Sequence, residues 1–337
     1  MSFAISILLP FYNARSTLPA CLRSIQEQTL ENWELVAVDD DSSDGSREWL
    51  QQFARRDTRI RLISNPGKGL VSALNHGLQH CSSELVARMD ADDIMRPRRL
   101  EMQLAHFQGS PALTLSATQA RLFPENLIRA GYREYMRWQN LCCSPTDIAN
   151  QIYIESPFAH PTVCFRKAAV EGIGGYRDGM FPEDYDLWLR IFHSGHVMEK
   201  INQVLLDWRE SPGRLSRTDP RCSRESFDRL KAKYLARDPR FLEHRDNFVI
   251  WGAGRKTRRR CCHLLDQGFQ PRAWVDIDPA KIGNTLQGVP VVGMQWLRHN
   301  PASFVLIYVT NHGARDEIAA ALTAMGFSWG KGFLPVG

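Results

Sequence analysis

The first hundred residues alternate between two periodicities. AISILLP (4–10), ELVAVDD (34–40), IRLISN (60–65) and ELVARMD (84–90) are short apolar runs of strand length. Between them TLPACLRSIQEQ (17–28), SREWLQQFARR (46–56) and GLVSALNHGLQHC (69–81) carry their apolar residues at helical spacing. This strand-helix order implies an α/β fold with a mainly parallel sheet flanked by helices. In such sheets ligands sit at the carboxyl ends of the strands. Three of those ends are unusual: PFYN follows the first strand, DDDSSDGS the second and DADD the fourth.

At 337 residues the chain is long enough for two domains. With 43% apolar and 23% charged residues and no low-complexity tract or internal repeat, it is an ordinary globular protein, and dominant disorder is excluded. The formal charge of +5 is mildly basic, with clusters at Arg55-Arg56, Arg96 to Arg99 and Arg255 to Arg260. Most of these side chains read as solvated, and an anionic substrate or acidic membrane surface is the alternative. No nucleic-acid partner is expected.

Eight cysteines include no CxxC pair, which argues against structural zinc or a disulfide framework and for reduced, partly buried thiols in a cytoplasmic protein. The start, MSFAISILLPFYN, has no positive n-region, and its apolar run is too short for a signal peptide or membrane span. Any membrane contact is expected to be peripheral, at the inner face.

Periodicity weakens between about 109 and 180, then a helix returns at EDYDLWLRIFHSG (183–195). The charged stretch 211–246 reads as a connector. A fresh α/β pattern follows in NFVIWGAG, RKTRRRCCHLLDQG, AWVDID, SFVLIYVT and ARDEIAAALTAMG. The expected organisation is a first domain over 1–220, a helical connector over 221–245 and a smaller α/β domain over 246–337.

RMDADDIMRPRRL (88–100) places Asp90, Asp92 and Asp93 within four positions, at the mouth of the sheet. Crowded carboxylates are tolerated most easily around a positive charge, and a turn of this kind can aim oxygen atoms at Mg²⁺ or Mn²⁺. Alone, the motif is short and common, and a solvated turn or a cap for the following helix explains it as well.

Its company changes that. SILLPFYNA with LPACLRSIQEQT, then WELVAVDDDSSDGS, GLVSALNHG and ARMDADD with RPRRLEMQ, stand in an order and spacing that resemble glycosyltransferase family 2. HPTVCFRKAAVEGIGGYRD and FPEDYDLWLRI resemble that family's acceptor-side segment and ED motif. The resemblance spans roughly residues 3 to 220. It implies the GT-A fold and an inverting, metal-dependent enzyme that moves a sugar from a nucleoside diphosphate donor, UDP above others, to a hydroxyl of a glycan or glycolipid in cell-surface polysaccharide synthesis.

Carried over by position, the resemblance implies that Pro10, Tyr12 and Asn13 line the nucleotide pocket and Asp40 meets the base edge. Asp90 would face the nucleotide-sugar, Asp92 would bind Mn²⁺ or Mg²⁺, and Asp93 would support the site. Asp184 would be the general base, with Glu183 beside it. Asp184 also stands near a helix start, where the dipole favours its ionised form. His160 and Arg217 are further candidates for the donor site, with Arg214 and Arg217 forming a lid over the diphosphate or remaining surface arginines. VDDDSSDGS departs from the common pattern by placing Asp41 where glycine is usual, so the turn must accommodate the side chain or adopt the left-handed conformation that Asp can visit.

Two alternatives stay open. A nucleotide-sugar-binding or regulatory protein with a degenerate site would have lost the carboxylates that this chain retains. A nucleotidyltransferase would need a Gly-rich basic loop, and PFYNARS is a poor one. In the C-terminal part, NFVIWGAGRKTRR and VDIDPAKIGNTLQGVPVVG resemble the small Rossmann-like domain of some bacterial sugar acyltransferases, which binds a nucleotide-sugar there. Asp276 or Asp278 lies where a ribose-binding acid would stand. A scaffold or homo-oligomer module without ligand is the competing expectation.

Overall fold

The computed structural model describes residues 3–211, 213–310 and 313–337. The chain divides into two units, one made of residues 1–148, 157–179 and 183–218, the other of 149–156, 180–182 and 219–337.

The first unit is built on a sheet of strands β1 (Ile5–Phe11), β2 (Trp33–Asp39), β3 (Ile60–Ser64), β4 (Leu85–Arg88), β5 (Ile94–Met95), β6 (Leu113–Phe123), β7 (Cys164–Arg166) and β8 (Val197–Arg209). Their order is β3-β2-β1-β4-β7-β6-β8-β5. β1 to β4 pair in parallel, while β7 is antiparallel to both β4 and β6. Every residue of β1, β2 and β4 is buried, which is why these strands read as continuous apolar runs and not as alternation.

Helices Leu18–Gln26, Ser46–Ala54 and Leu70–His80 connect the parallel strands. The first carries a proline in its opening turn and buries Leu18, Cys21, Leu22 and Ile25 at helical spacing. The third lies very close to the sheet: a Cβ on Gly77 would stand 2.7 Å from Val38 Cγ2 and would also collide with Leu8. Only glycine lets this helix approach β1 and β2 so nearly.

The weakly patterned region contains β6, eleven residues long, paired in parallel with β8. Its periodicity is masked because Thr114, Ser116 and Thr118 are buried hydroxyls that rank as polar in a sequence. Ser116 Oγ meets His106 Nδ1 at 2.9 Å, and Thr118 donates to the Gln119 carbonyl at 3.2 Å. Nor is the basic run at 96–99 entirely solvated. Arg99 is fully buried, donates to the carbonyl oxygens of Arg88 (2.9 Å) and Val163 (3.3 Å), and bonds Gln103 Oε1 (3.1 Å). It anchors the helix Arg99–Gly109 beneath the acidic turn.

The second unit has strands β9 (Phe248–Trp251), β10 (Ala273–Val275), β11 (Thr285–Leu286), β12 (Val289–Val292), β13 (Phe304–Ile307) and β14 (Phe333–Pro335), ordered β11-β12-β10-β9-β13-β14. Only the β11–β12 pair is antiparallel. The charged stretch read as a connector contributes the helix Arg224–Leu235 to this unit, where Lys231, buried, pairs with Asp228 at 3.0 Å and donates to Ile154 O and Val336 O. Among the described residues no helix is long and apolar enough to cross a membrane.

Candidate active site

β1 stands between β2 and β4, and the chain runs outward through β2 to β3 before returning to the other side of β1. The strand order therefore reverses between β1 and β4, and a crevice opens at their carboxyl ends, where parallel sheets collect ligands. Pro10 lies past the last rung that β1 shares with β4, Leu8 with Arg88, so its missing N–H interrupts none of those rungs.

The loops after β1 and β2 are stitched together. Asn13 Oδ1 accepts from Ser43 N (2.8 Å), Asn13 N donates to Ser42 Oγ (3.0 Å), Ala14 N to Ser46 Oγ (2.9 Å) and Arg15 N to Asp44 Oδ2 (2.8 Å). Asn13 and Asp41 both adopt positive φ, 48° and 67°. The turn thus takes the left-handed conformation at Asp41, at the cost a β-carbon carries there. Tyr12 projects from this platform with 62% of its surface exposed. Asp40 accepts from Asn65 Nδ2 at 2.6 Å and from Gly69 N at 3.0 Å, so its carboxylate ties the loop to the start of the third helix.

After β4 the carboxylate oxygens of Asp90, Asp92 and Asp93 come within 4.8 Å of one another. Asp93 is 1% exposed; one oxygen accepts from Arg209 N at 2.7 Å, while Oδ2 is buried without a hydrogen-bond partner among the described residues. Burial and the Asp90 charge push Asp92 up to about 6, and burial with both neighbours pushes Asp93 well above the usual carboxylate range. Crowded, desolvated and incompletely satisfied, this oxygen set fits a hard divalent cation, which would relieve all three strains together.

Arg88 was not singled out from the sequence, although i and i+2 on an extended strand share a face with Asp90. It is buried and in ion contact with Asp90, yet its Nε and Nη1 lack a well-directed acceptor among the described residues. Its charge is also felt by Asp184, His160 and Tyr176. One guanidinium thus acts electrostatically on both the acidic turn and the start of the helix Glu183–His193.

That helix start is fixed by Arg190, which pairs with Asp186 at 2.7 Å and donates to Ile173 O (3.0 Å) and Gly175 O (2.7 Å). Tyr176 is held in turn by reciprocal bonds with Asn75. His160, buried, bonds the Tyr176 hydroxyl at 2.9 Å and lies 3.9 Å from Glu183. Burial and Arg88 hold its ring well below the usual histidine range, so it is neutral. Asp184 Oδ1 accepts from Tyr185 N at 2.6 Å. Burial and the Glu183 charge raise it to about 7, outweighing the helix dipole that alone would keep it ionised.

Across the acidic turn, Arg209 Nε donates to Asp92 O at 2.6 Å. Beyond it Glu210, 1% exposed, pairs with Arg217 at 2.7 Å and Arg214 at 3.5 Å. Arg214 stacks 4.1 Å over Trp208 and bonds the Tyr132 hydroxyl. Arg217 is thus held by a buried carboxylate, and Arg214 is itself largely enclosed. Arg209, Glu210 and Tyr132 gave no signal in the sequence, because no local pattern relates β8 or the helix Ala130–Leu141 to the turn at 90–93.

The profile described as Glycosyl transferase family 2 matches residues 6–174. The amylovoran biosynthesis glycosyltransferase AmsE of Erwinia amylovora is 34% identical over 204 residues, 60% of this chain and 74% of that protein. The UDP-Glc:alpha-D-GlcNAc-diphosphoundecaprenol beta-1,3-glucosyltransferase WfgD of Escherichia coli is 41% identical over 104 residues, 31% of this chain and 40% of that protein. Among solved structures, S. aureus TarS 1–349 in complex with UDP-GlcNAc matches with a TM-score of 0.56 at 15% identity, covering 70% of this chain and 68% of that one.

Proposed function

The chain belongs to glycosyl transferase family 2, and we propose that it is an inverting enzyme that transfers one sugar from a UDP-sugar to a hydroxyl of a lipid-linked glycan during surface polysaccharide synthesis. The observation that carries this reading is the joint arrangement around Arg88: a crowded carboxylate turn on one side and a carboxylate raised to about 7 on the other. The relatives named for amylovoran biosynthesis and for a diphosphoundecaprenol acceptor support the choice of acceptor.

In this reading Asp92, with Asp90 beside it, holds Mn²⁺ or Mg²⁺, and the bound ion supplies neutralisation of the departing diphosphate. Tyr12 offers its exposed ring to the uracil, Pro10 and Asn13 shape the wall, and Asp40 holds the loop in place. Asp93 and Arg209 fix the turn. Arg214 and Arg217, drawn toward the turn by Glu210, add positive charge for the phosphates. Asp184 takes the proton from the acceptor hydroxyl as it attacks, with burial and Glu183 raising its basicity and neutral His160 standing beside Glu183 on the Tyr176 hydroxyl. The second unit is a Rossmann-like module. The protein meets its lipid-linked acceptor peripherally, at the membrane surface.

The test is calorimetry with UDP, with and without Mn²⁺, on wild type and Asp92→Asn. Wild type should bind UDP with Mn²⁺ and at least ~10-fold more weakly in EDTA, and Asp92→Asn should lose that metal dependence, because an amide oxygen is a poorer ligand for a hard cation. Equal binding in all four conditions would remove the metal from the proposal.

A further inference from the structure

The helix Arg255–Leu265 of the second unit ends in a cluster of metal-ligating side chains that the transferase site does not use. The Cys262 sulfur, a His263 ring nitrogen and an Asp266 carboxylate oxygen all lie within 4.8 Å of one another. A thiol, an imidazole and a carboxylate converge there, in contrast to the all-oxygen turn at 90–93.

The helix dictates the convergence. Cys262 and Asp266 are four residues apart and share a face, and His263 stands next to Cys262 on its edge. The opposite face is fixed, because Cys261 and Leu264 are buried. Asp266 is the C-cap residue, its N–H bonded to the Cys262 carbonyl at 2.7 Å, and Gln267 Nε2 donates to the His263 carbonyl at 2.8 Å. The backbone under all three groups is therefore held, while Cys262 and His263 are half-buried and Asp266 is exposed. Ligands of one tetrahedral Zn²⁺ stand ~3.3–3.8 Å apart, so side-chain shifts of about 1 Å close the cluster onto a single ion.

The Cys262 thiol now donates to the Arg259 carbonyl at 3.0 Å. Burial and the Asp266 charge, with Glu225 and Asp228 of the helix Arg224–Leu235 adding to it, raise this thiol above its usual range. A cation reverses that preference: the sulfur releases its proton to solvent and binds the ion as thiolate. Arg258 and Arg259, one turn earlier, are exposed. Thiolate and carboxylate match the two charges of the ion, so the loaded site adds no net charge beside them, and the negative end of the helix dipole favours a cation at this terminus. The chain has no CxxC pair, the mark of a closed four-ligand zinc site; three ligands from one helix leave the fourth position to water.

We propose that Cys262, His263 and Asp266 form a second metal site, for one borderline-soft divalent cation of the Zn²⁺ kind, independent of the hard-cation turn in the first unit. The bound ion clips the last turn of Arg255–Leu265 to its C-cap residue.

Titration of the reduced full chain with Co²⁺ tests it, because a cobalt–thiolate bond absorbs in the near ultraviolet and an all-oxygen site gives no such band. The band should rise to a plateau, and Zn²⁺ should bleach it while Mg²⁺ does not. Cys262→Ser should abolish it, and His263→Gln and Asp266→Asn should each weaken Co²⁺ binding at least ~10-fold. Cys222→Ser, at a half-buried thiol elsewhere, and Asp92→Asn should each leave it within ~2-fold. No band at millimolar Co²⁺ overturns the proposal. A band that survives in Cys262→Ser overturns it by placing the metal on another thiol, and unchanged affinity in either His263→Gln or Asp266→Asn removes the three-ligand site.

Discussion

If Asp184 is the base, the transfer rate must carry its titration. Burial beside Glu183 raises it to about 7, so about a tenth of the free enzyme holds it ionised at pH 6 and about nine tenths at pH 8. The apparent kcat/KM, which reports the free enzyme, should therefore climb about tenfold across that interval and level off above it. Two neighbours could blur the limb. His160 is held well below the usual histidine range and stays neutral throughout. Asp92, at about 6, titrates in the window without metal, and saturating Mn²⁺ at every pH should keep it ionised. The assay is initial-rate release of UDP from a UDP-sugar with a lipid-linked acceptor, measured from pH 5.5 to 9. Asp184→Asn should lower transfer ~10²-fold or more and flatten the limb while Mn²⁺-dependent UDP binding stays within ~3-fold of wild type. A flat wild-type profile between pH 6 and 8, or an Asp184→Asn variant that keeps the limb, would assign the base elsewhere.

Gly77→Ala should destabilise the protein by ~1–3 kcal/mol, because the new methyl is forced against Leu8 and Val38; thermal melting checks it, and an unchanged Tm would mean that the helix can lift without cost. Asp41→Gly should raise the Tm, removing ~1 kcal/mol of left-handed strain less the entropy glycine adds to the unfolded chain, and a lower Tm would show that the Asp41 side chain contributes more than its backbone costs. Stability itself should fall with rising pH in EDTA. Asp92 and Asp184 have folded pKa values above their unfolded ones, so between about pH 4 and 7 the native state binds more protons than the unfolded chain and loses stability as they ionise. Scanning calorimetry at pH 5 and 7.5 should show that drop, and Mn²⁺ should reduce it; a rise in stability over the same interval would contradict the burial of these carboxylates.

The sheet was legible where burial is uniform. β1, β2 and β4 are buried throughout and mostly apolar, and the loops that follow them announce themselves by runs of Asp, Ser and Asn. β6 was not legible, because Thr114, Ser116 and Thr118 are buried through their hydroxyls and hydropathy counts them as exposed. The acidic turn stands out by its charge density, and the ED pair by its resemblance to the family's motif, with its place at a helix start in support. Arg88 was written beside them and passed over, since a buried arginine looks like a surface one until its partner is known. Arg209 reaches the turn across the sheet, and Glu210 follows it, through a pairing of β8 that sequence proximity does not encode.

The brief passages of the chain through the second unit at 149–156 and 180–182 bear on how the protein is made. Ile152 and Tyr153 are fully buried there, Tyr153 bonds Asp238 at 2.9 Å and Arg240 donates to the Ala149 carbonyl at 2.9 Å. All of those partners lie after residue 218. During synthesis this apolar strap leaves the ribosome before anything exists for it to pack against. At ~5–20 residues per second the remainder of the chain takes on the order of ten seconds to appear. Over that interval the nascent protein carries an unpaired sticky segment in the middle of an otherwise completed unit, which is where a chaperone would be needed and where a gene fusion that discarded the C-terminal third would leave a permanent lesion.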